Sequence, residues 1–156
     1  ELGEEHNTAY GAKIAISEQN CWIPTSALII QGFTPTGGPE PDTQLVATYV
    51  WGWELSNGWL LDAAMRYGTE SVEEDHGSLW APSVVLKVPI GELWKAHVEY
   101  FGIFSSRLEE ARSPQYFSPG IHYLVNRNFE VGVRVGWGLS DDAARFFSNV
   151  GLGVRF

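Results

Sequence analysis

The chain has 156 residues, of which 44% are hydrophobic and 13% aromatic. This composition excludes a disordered chain and fits a single folded domain over residues 1–156. The 19 acidic residues outnumber the 10 basic ones and give a formal net charge of −9, which argues against a nucleic-acid partner. Cys21 is the single cysteine, so the chain can form neither an internal disulfide nor a thiolate metal centre.

Apolar and polar residues alternate with a period of two along most of the chain, which predicts β-strands. Seventeen glycines and seven tryptophans agree with an all-β chain. The pattern predicts about nine strands. In chain order they cover residues 10–17, 22–33, 45–55, 59–67, 79–90, 96–105, 117–125, 129–139 and 146–156.

The predicted strand that starts at Phe129 shows the alternation most clearly. Its odd positions are all apolar up to Leu139, and its even positions hold Glu130, Arg134 and three glycines. The last predicted strand repeats this pattern. Each of these strands therefore has one apolar face and one face of charged residues and glycines. In the second and sixth strands, the assignment of residues to faces stays open.

Short and long connections alternate between the predicted strands. With strands of about ten residues, this arrangement is typical of an antiparallel, up-and-down transmembrane β-barrel of the bacterial outer membrane. Asn57 and Gly58 form an Asn-Gly pair between two strands, which predicts a type I′ hairpin turn. The short connections cover residues 18–21, 57–58, 91–94 and 126–128, and the long ones cover 34–42, 69–78, 106–115 and 140–145.

The two strand faces have a physical explanation in such a barrel. Lipid contacts the apolar side chains, and the lumen holds charged residues and glycines. The alternative is a soluble, lipocalin-like ligand-binding barrel, in which the apolar face points inward. The face opposite the apolar one has few of the Lys, Glu, Ser and Thr residues that a water-exposed surface carries, and this favours the membrane barrel.

Nine charged residues fall on the faces predicted to line the lumen. Their five positive and four negative charges nearly cancel, and charges removed from water must be paired. They form either a salt-bridge network or a polar path that selects solutes. The nine residues are Lys13, Glu54, Asp62, Arg66, Lys87, Glu99, Glu130, Arg134 and Arg155.

The predicted long loops and the N-terminal segment hold 13 of the 19 acidic residues. These carboxylates either bind divalent cations that bridge lipopolysaccharide phosphates or keep the loops in solvent, and no calcium-loop spacing is present. The predicted surroundings are outer-membrane lipid and lipopolysaccharide. The 13 residues are Glu1, Glu4, Glu5, Glu40, Asp42, Glu70, Glu73, Glu74, Asp75, Glu109, Glu110, Asp141 and Asp142.

Three strand residues are candidates for chemistry: His97, Ser118 and His122. Ser118 and His122 lie four residues apart on one strand face, about 13 Å at the rise of a strand, which is too far for a nucleophile and its base. Two strand histidines without further ligands are too few for a metal site. The sequence therefore predicts no enzyme, no metal site and no cofactor.

The last strand resembles the C-terminal β-signal of bacterial outer-membrane proteins. That signal consists of a polar residue, a glycine two positions on, and two hydrophobic or aromatic positions, the second of them terminal. Asn149, Gly151, Val154 and Phe156 fill these places. The resemblance implies that the barrel-assembly machinery reads this strand by edge pairing and that Phe156 lies at the periplasmic end.

Residues 117–143 contain a Pro119-Gly120 strand start, a turn before an apolar, glycine-rich strand, and a Gly-Leu-Ser-Asp-Asp-Ala loop over 138–143. These features, with Thr-Pro-Thr-Gly over 34–37, resemble the MetA-pathway-of-phenol-degradation family of proposed outer-membrane transporters. The resemblance implies a passive channel or transporter for small solutes, including hydrophobic or aromatic ones. A structural or surface-adhesion barrel with a plugged lumen is the alternative.

The strand count bears on how much of the barrel this chain contains. Single-chain bacterial barrels have an even number of strands, whereas about nine are visible. Counting back from a periplasmic Phe156 places every short turn in the periplasm and every long loop outside. At least one strand should then precede Glu1. The chain is thus predicted to be the C-terminal portion of a barrel of about 10 to 12 strands.

Overall fold

A computed structural model describes residues 6–37, 43–72, 75–105 and 113–155, and these residues form ten β-strands. No helix in these ranges is long and apolar enough to cross a membrane. The strands are β1 (His6–Ser17), β2 (Thr25–Gly37), β3 (Gln44–Glu54), β4 (Leu60–Val72), β5 (Asp75–Ile90), β6 (Trp94–Gly102), β7 (Phe104–Ser105), β8 (Gln115–Asn126), β9 (Phe129–Gly138) and β10 (Phe146–Val154).

The strands form one antiparallel, up-and-down sheet in the order β1-β2-β3-β4-β5-β6-β8-β9-β10. This confirms the predicted all-β class and its nine main strands. The tenth strand, β7, has two residues and pairs with β5, Leu79 opposite Ser105 and Trp80 opposite Phe104. The order starts at β1 and ends at β10, so the sheet is not closed into a barrel within the described residues.

The sequence pattern underestimates the length of two hairpins. The predicted loop over 69–78 is mostly strand, because β4 continues to Val72 and β5 begins at Asp75. β2 likewise continues to Gly37, and Thr34 pairs with Thr8 of β1. Backbone pairing needs no apolar side chains, so a ladder can continue where the apolar alternation has already ended.

The turn at Asn57 and Gly58 differs from the predicted type I′ turn. Gly58 has a φ of +76°, but Asn57 does not have a positive φ, and a type I′ turn requires one at both positions. The Gly58 N–H donates to the Leu55 carbonyl (2.9 Å), and the Leu55 N–H donates to the Trp59 carbonyl (2.8 Å). These bonds define a three-residue loop that ends in a left-handed glycine. The prediction of a hairpin is correct, and the predicted turn type is wrong.

The chain divides into two compact units, which are described separately. The first unit comprises residues 1–51, 64–82 and 103–112 and contains the β1–β2 hairpin. In this hairpin, Ile14 pairs with Leu28 on one face, and Lys13 pairs with Ile29 on the other. Among the described residues, the buried hydrophobic side chains are those of Ala27 and Val46, both in this unit.

The second unit comprises residues 52–63, 83–102 and 113–156 and contains residues 83–90 of β5, paired in order with β6, β8, β9 and β10. Directly opposed residues of neighbouring strands share a face of a sheet, so the register defines rows across the five strands. The face that contains one continuous row of aliphatic residues is called the apolar face below. That row is Val88, Ala96, Ile121, Val133 and Val150.

The neighbouring row points to the opposite side of the same strands, which is called the polar face below. A shift of one residue along a strand exchanges the faces, since side chains alternate across the sheet. This row is Lys87, His97, Gly120, Arg134 and Asn149.

Candidate functional site

Two glycines of the polar face make room for histidine rings. A side chain added at Gly132 would place its Cβ 2.6 Å from Nδ1 of His122. A Cβ at Gly120 would collide with the His97 ring and lie 2.8 Å from the Cβ of Arg134. The two rings therefore lie against bare backbone, and residues larger than glycine would displace them.

The two histidines contact each other across β6 and β8. Nδ1 of His97 is 3.2 Å from Nε2 of His122, and the ring centroids are 5.0 Å apart. Nδ1 of His122 is 2.9 Å from Oε1 of Glu130, and Oε2 of this carboxylate is 4.0 Å from Nζ of Lys95. A chain of polar contacts thus crosses three strands and joins His97, His122, Glu130 and Lys95.

Arg134 and Glu99 form an ion pair beside the histidines. Nη1 of Arg134 donates to Oε2 of Glu99 at 2.8 Å. The Arg134 guanidinium also lies 5.6 Å from the ring centroid of Phe147 and 6.0 Å from that of Phe101, within the range of cation–π contacts. The Arg134 guanidinium therefore contacts both a carboxylate and two aromatic rings.

An aromatic cluster occupies the same face next to Arg134. The rings of Phe101 and Tyr116 are stacked, with centroids 4.9 Å apart. Phe147 meets Tyr116 edge to face at 5.7 Å, and its ring lies over Gly136, where a Cβ would collide with it. The polar face therefore also offers an aromatic surface.

A further ion pair joins Lys87 to Asp62, with Nζ 2.7 Å from Oδ2. Both side chains are roughly half exposed. A cavity of about 510 Å³ opens along the polar face. Its polar-face lining includes Val85, Lys87, His97, Glu99, His122 and Arg134, with Asn149 and Gly151 of β10. Val133, Val150 and Leu152, at apolar-face positions of β9 and β10, also border it.

The nine charged residues predicted from the sequence have different surroundings. Five of them take part in the contacts described above: Asp62, Lys87, Glu99, Glu130 and Arg134.

The other four charged residues are not part of those contacts. Lys13 is exposed on β1, and Arg66 is exposed on β4. Glu54 is the last residue of β3. Arg155 follows β10, where its backbone N–H donates to the Asn128 carbonyl at 2.9 Å, and it borders a second cavity of about 270 Å³.

The residues that resemble the β-signal lie on both faces of β10. Asn149 pairs with Arg134, and Gly151 pairs with Gly132, so both are on the polar face. Val154 pairs with Phe129 and is 61% exposed. Phe156 lies outside the described residues.

Four of the 13 acidic residues predicted to lie in loops or in the N-terminal segment are within the described residues. Asp142 accepts a hydrogen bond from the Ser113 N–H at 3.3 Å. Glu70 and Asp75 belong to β4 and β5, contrary to the predicted loop, because the hairpin between these strands is longer than the apolar pattern. Outside the described residues lie Glu1, Glu4, Glu5, Glu40, Asp42, Glu73, Glu74, Glu109 and Glu110.

Ser118 does not act on His122 in this structure. Its side chain is fully buried, and its hydroxyl donates to the Val135 carbonyl at 2.8 Å. Within residues 6–37, 43–72, 75–105 and 113–155, no group of three or more His, Cys, Asp or Glu side chains is arranged to hold a metal ion.

The contact between His97 and His122 is the feature that sequence reasoning missed. The two residues are 25 positions apart, and a long connection separates their strands. The faces of the sixth strand were also ambiguous, because aromatic and aliphatic residues occur at both parities. The available signals of this contact were two glycines, Gly120 opposite His97 and Gly132 opposite His122. A glycine in a strand leaves space in which a ring from the neighbouring strand can lie on the sheet.

The whole described chain also matches one known family. A family model with the description "Putative MetA-pathway of phenol degradation" matches residues 6–156. The chain belongs to this family. The match extends far beyond the C-terminal segment that carried the resemblance in the sequence. A search of curated proteins found no match.

Proposed function

We propose that this chain spans the bacterial outer membrane as part of a β-barrel that passes small solutes. Its apolar face would contact lipid, and its polar face would line the lumen. The observation that carries this proposal is the pair of neighbouring rows in the second unit. The aliphatic row includes Val133, 45% exposed, and Val150, 73% exposed, whereas the neighbouring row holds Lys87 and Arg134, each of which forms an ion pair.

The contacts on the polar face favour this orientation over a soluble barrel. In a soluble barrel, the aliphatic row would form the core, and the opposite face would be a hydrated surface of long charged side chains. The polar face instead has rings lying against Gly120, Gly132 and Gly136, and charges that bind one another. Such close contacts suit a confined lumen.

Aromatic pairs mark two levels along the apolar face. Trp94 and Tyr123 contact each other with centroids 4.6 Å apart, and Tyr123 pairs with Val131 of β9. Trp137, six residues further along β9, contacts Phe146 with centroids 6.1 Å apart. Six residues span about 20 Å, close to the apolar band of about 25 Å between the aromatic girdles of outer-membrane barrels.

The lining of the cavity favours uncharged solutes, including hydrophobic or aromatic ones. Arg134 is neutralised by Glu99, and Lys87 is neutralised by Asp62, so no net charge dominates the path. Val85 adds apolar surface to the cavity, and Phe101 and Phe147 lie on the same face beside Arg134. A transporter for such solutes is compatible with a family named after phenol degradation.

Liposome swelling tests the channel. Proteoliposomes that contain the full-length barrel should swell in small uncharged solutes faster than protein-free liposomes. Gly151→Trp should slow swelling, because Gly151 borders the cavity and its Cβ position is open. Ile121→Trp, in the aliphatic row of the apolar face and outside the cavity lining, is the control and should swell like wild type. Equal slowing by both variants would contradict the assigned faces.

A barrel with a plugged lumen is the second candidate, favoured by the cluster of Phe101, Tyr116 and Phe147 on the polar face. Absence of swelling in wild type, together with swelling of a Phe147→Ala variant, would support it. Partition of the protein into the aqueous phase, without detergent, would instead favour a soluble lipocalin-like barrel.

The single cysteine provides a test of location and topology. Cys21 is exposed in the short turn between β1 and β2, where the Asn20 and Ile23 backbones pair. If short turns face the periplasm, a membrane-impermeant maleimide should label Cys21 only after the outer membrane is permeabilised. Asp141→Cys in a Cys21→Ala background should be labelled in intact cells. Labelling of both sites in intact cells would contradict this topology.

The proposal includes recognition of the last strand by the barrel-assembly machinery in the outer membrane. Phe156→Ala should lower the folded fraction in cells more than the yield of refolding in detergent, because no machinery acts in detergent. Equal losses in both settings would assign Phe156 a packing role only.

A further inference from the structure

We propose that His97 and His122 bind a divalent ion of the late first-row transition metals, such as Cu²⁺, Ni²⁺ or Zn²⁺. The proposal does not depend on solute passage, because it concerns only the geometry of the polar face. It differs from the sequence-based expectation, which treated the two histidines as unrelated strand residues.

The separation of the two ring nitrogens carries the proposal. Nδ1 of His97 and Nε2 of His122 are 3.2 Å apart. Two imidazole nitrogens bound to one ion at about 2.0 to 2.1 Å, with a near-tetrahedral angle, lie about 3.3 Å from each other. The rings therefore stand at the distance that a shared ion requires, without movement of β6 or β8.

Glu130 prepares His122 to be a ligand. The Nδ1–H of His122 donates a hydrogen bond to Oε1 of Glu130 at 2.9 Å. The proton therefore stays on Nδ1, and the lone pair is on Nε2, the nitrogen that points to His97. A carboxylate behind a histidine is the usual outer contact of a metal ligand, because it fixes both the tautomer and the ring orientation.

His97 changes only its tautomer when the ion binds. Without an ion, its Nδ1–H donates to Nε2 of His122. With an ion, the proton resides on Nε2 of His97, and the Nδ1 lone pair binds the metal. No net proton needs to be released by this exchange. Gly120 and Gly132 provide the space in which the two rings adjust.

The charges around the pair are compensated. Lys87 is opposite His97 and binds Asp62 at 2.7 Å, and Lys95 is opposite His122 with Glu130 at 4.0 Å. A third cation near the pair, Arg134, binds Glu99 at 2.8 Å.

The Asp62 and Glu99 carboxylates reduce the positive charge that an arriving ion meets near the histidine pair. Its remaining coordination positions face the cavity, where water or a solute oxygen can fill them.

Two protein ligands, rather than three, determine the expected strength and selectivity. Such a site binds more weakly than a structural zinc site, which has four protein ligands. Affinity should follow the general order for nitrogen ligands, with Cu²⁺ bound more tightly than Ni²⁺ or Zn²⁺.

The experiment uses the protein folded in detergent and a variant that keeps only the proposed ligands. The chain has four histidines, so the variant His6→Gln/His76→Gln retains His97 and His122 alone. Calorimetry with Cu²⁺, Ni²⁺ and Zn²⁺ gives stoichiometry and affinity. Electron paramagnetic resonance of the Cu²⁺ form counts its imidazole ligands. Circular dichroism and heat-modifiable mobility check folding.

The two-histidine variant should bind one Cu²⁺ per chain, with two imidazole nitrogens in the spectrum. Further substitution of His97→Gln or His122→Gln should remove this two-nitrogen signal. Glu130→Gln should keep the signal but weaken binding by about 10- to 100-fold. If the Cu²⁺ spectrum of the two-histidine variant shows one imidazole nitrogen or none, the proposal is overturned. This outcome does not depend on whether the variants with further substitutions fold. Unchanged binding after His122→Gln would also overturn it.

Discussion

Val133 and Arg134 are neighbours in β9, yet they belong to faces with opposite chemistry. On the apolar face, Val133 lies between Ile121 and Val150 and is 45% exposed. On the polar face, Arg134 binds Glu99 and lies near two aromatic rings. In a water-soluble domain, the close contacts would belong to the apolar side. Here they are on the polar side, as expected for strands between lipid and a narrow lumen.

The strongest test of this comparison is a pair of arginine substitutions on neighbouring residues of β5. Leu86 pairs with Val98 on the apolar face, and Val85 pairs with Glu99 on the polar face. Leu86→Arg should lower the free energy of unfolding in lipid vesicles by about 2–4 kcal/mol, the cost of arginine facing lipid near the midplane. Urea titrations of vesicle-bound protein measure the loss.

Val85→Arg is the matched control, because it adds the same side chain on the other face. Its guanidinium can reach the cavity and the Glu99 carboxylate, so we expect a change of less than about 1 kcal/mol. The reverse result, with Val85→Arg the more damaging, would mean that the apolar face is not the lipid face.

The faces could be predicted from sequence, because alternation is local. In β9 the face of a side chain follows from its parity, which assigns Arg134 to the polar face, whereas the parity of the strand that holds Glu99, 35 positions away, is ambiguous. Their pairing could not be predicted, because it depends on the register between β6, β8 and β9. That register is set across the connection over 106–115, where no periodic pattern exists.

Local polar contacts also explain where sequence reasoning failed. The Asn-Gly signal predicted a two-residue turn, but Oδ1 of Asn57 accepts a hydrogen bond from the Trp59 N–H at 3.2 Å, which fits the longer loop. The metal proposal depends on a similar detail. Only the contact between His122 and Glu130 indicates that Nε2 of His122, the nitrogen that faces His97, has the lone pair.

Glycine substitutions test whether the polar face is closely packed, with an intermediate expected effect. Gly120→Ala would force the His97 ring and Arg134 to move, since its Cβ would lie 2.8 Å from the Cβ of Arg134. Overpacking of this kind costs about 1–3 kcal/mol. Gly151→Ala is the control, because its Cβ would meet no atom within 4 Å. Chemical unfolding in detergent compares the two, and equal losses would show that the faces are not packed as described.

The smallest effect should come from the two ion pairs. Lys87 and Asp62 are both exposed by more than two fifths, so Lys87→Met should change the free energy of unfolding by only about 0–1 kcal/mol. Arg134→Met should cost about 1 kcal/mol more, because Glu99 is 22% exposed and Arg134 also contacts Phe101 and Phe147. Both variants remove one positive charge, so net charge does not distinguish them.

Urea unfolding in detergent at low and high salt separates the two variants, since salt should reduce the effect of Lys87→Met more than that of Arg134→Met. If the two losses are equal at both salt concentrations, the aromatic contacts of Arg134 contribute nothing, and the polar face is held together by hydrated charges alone.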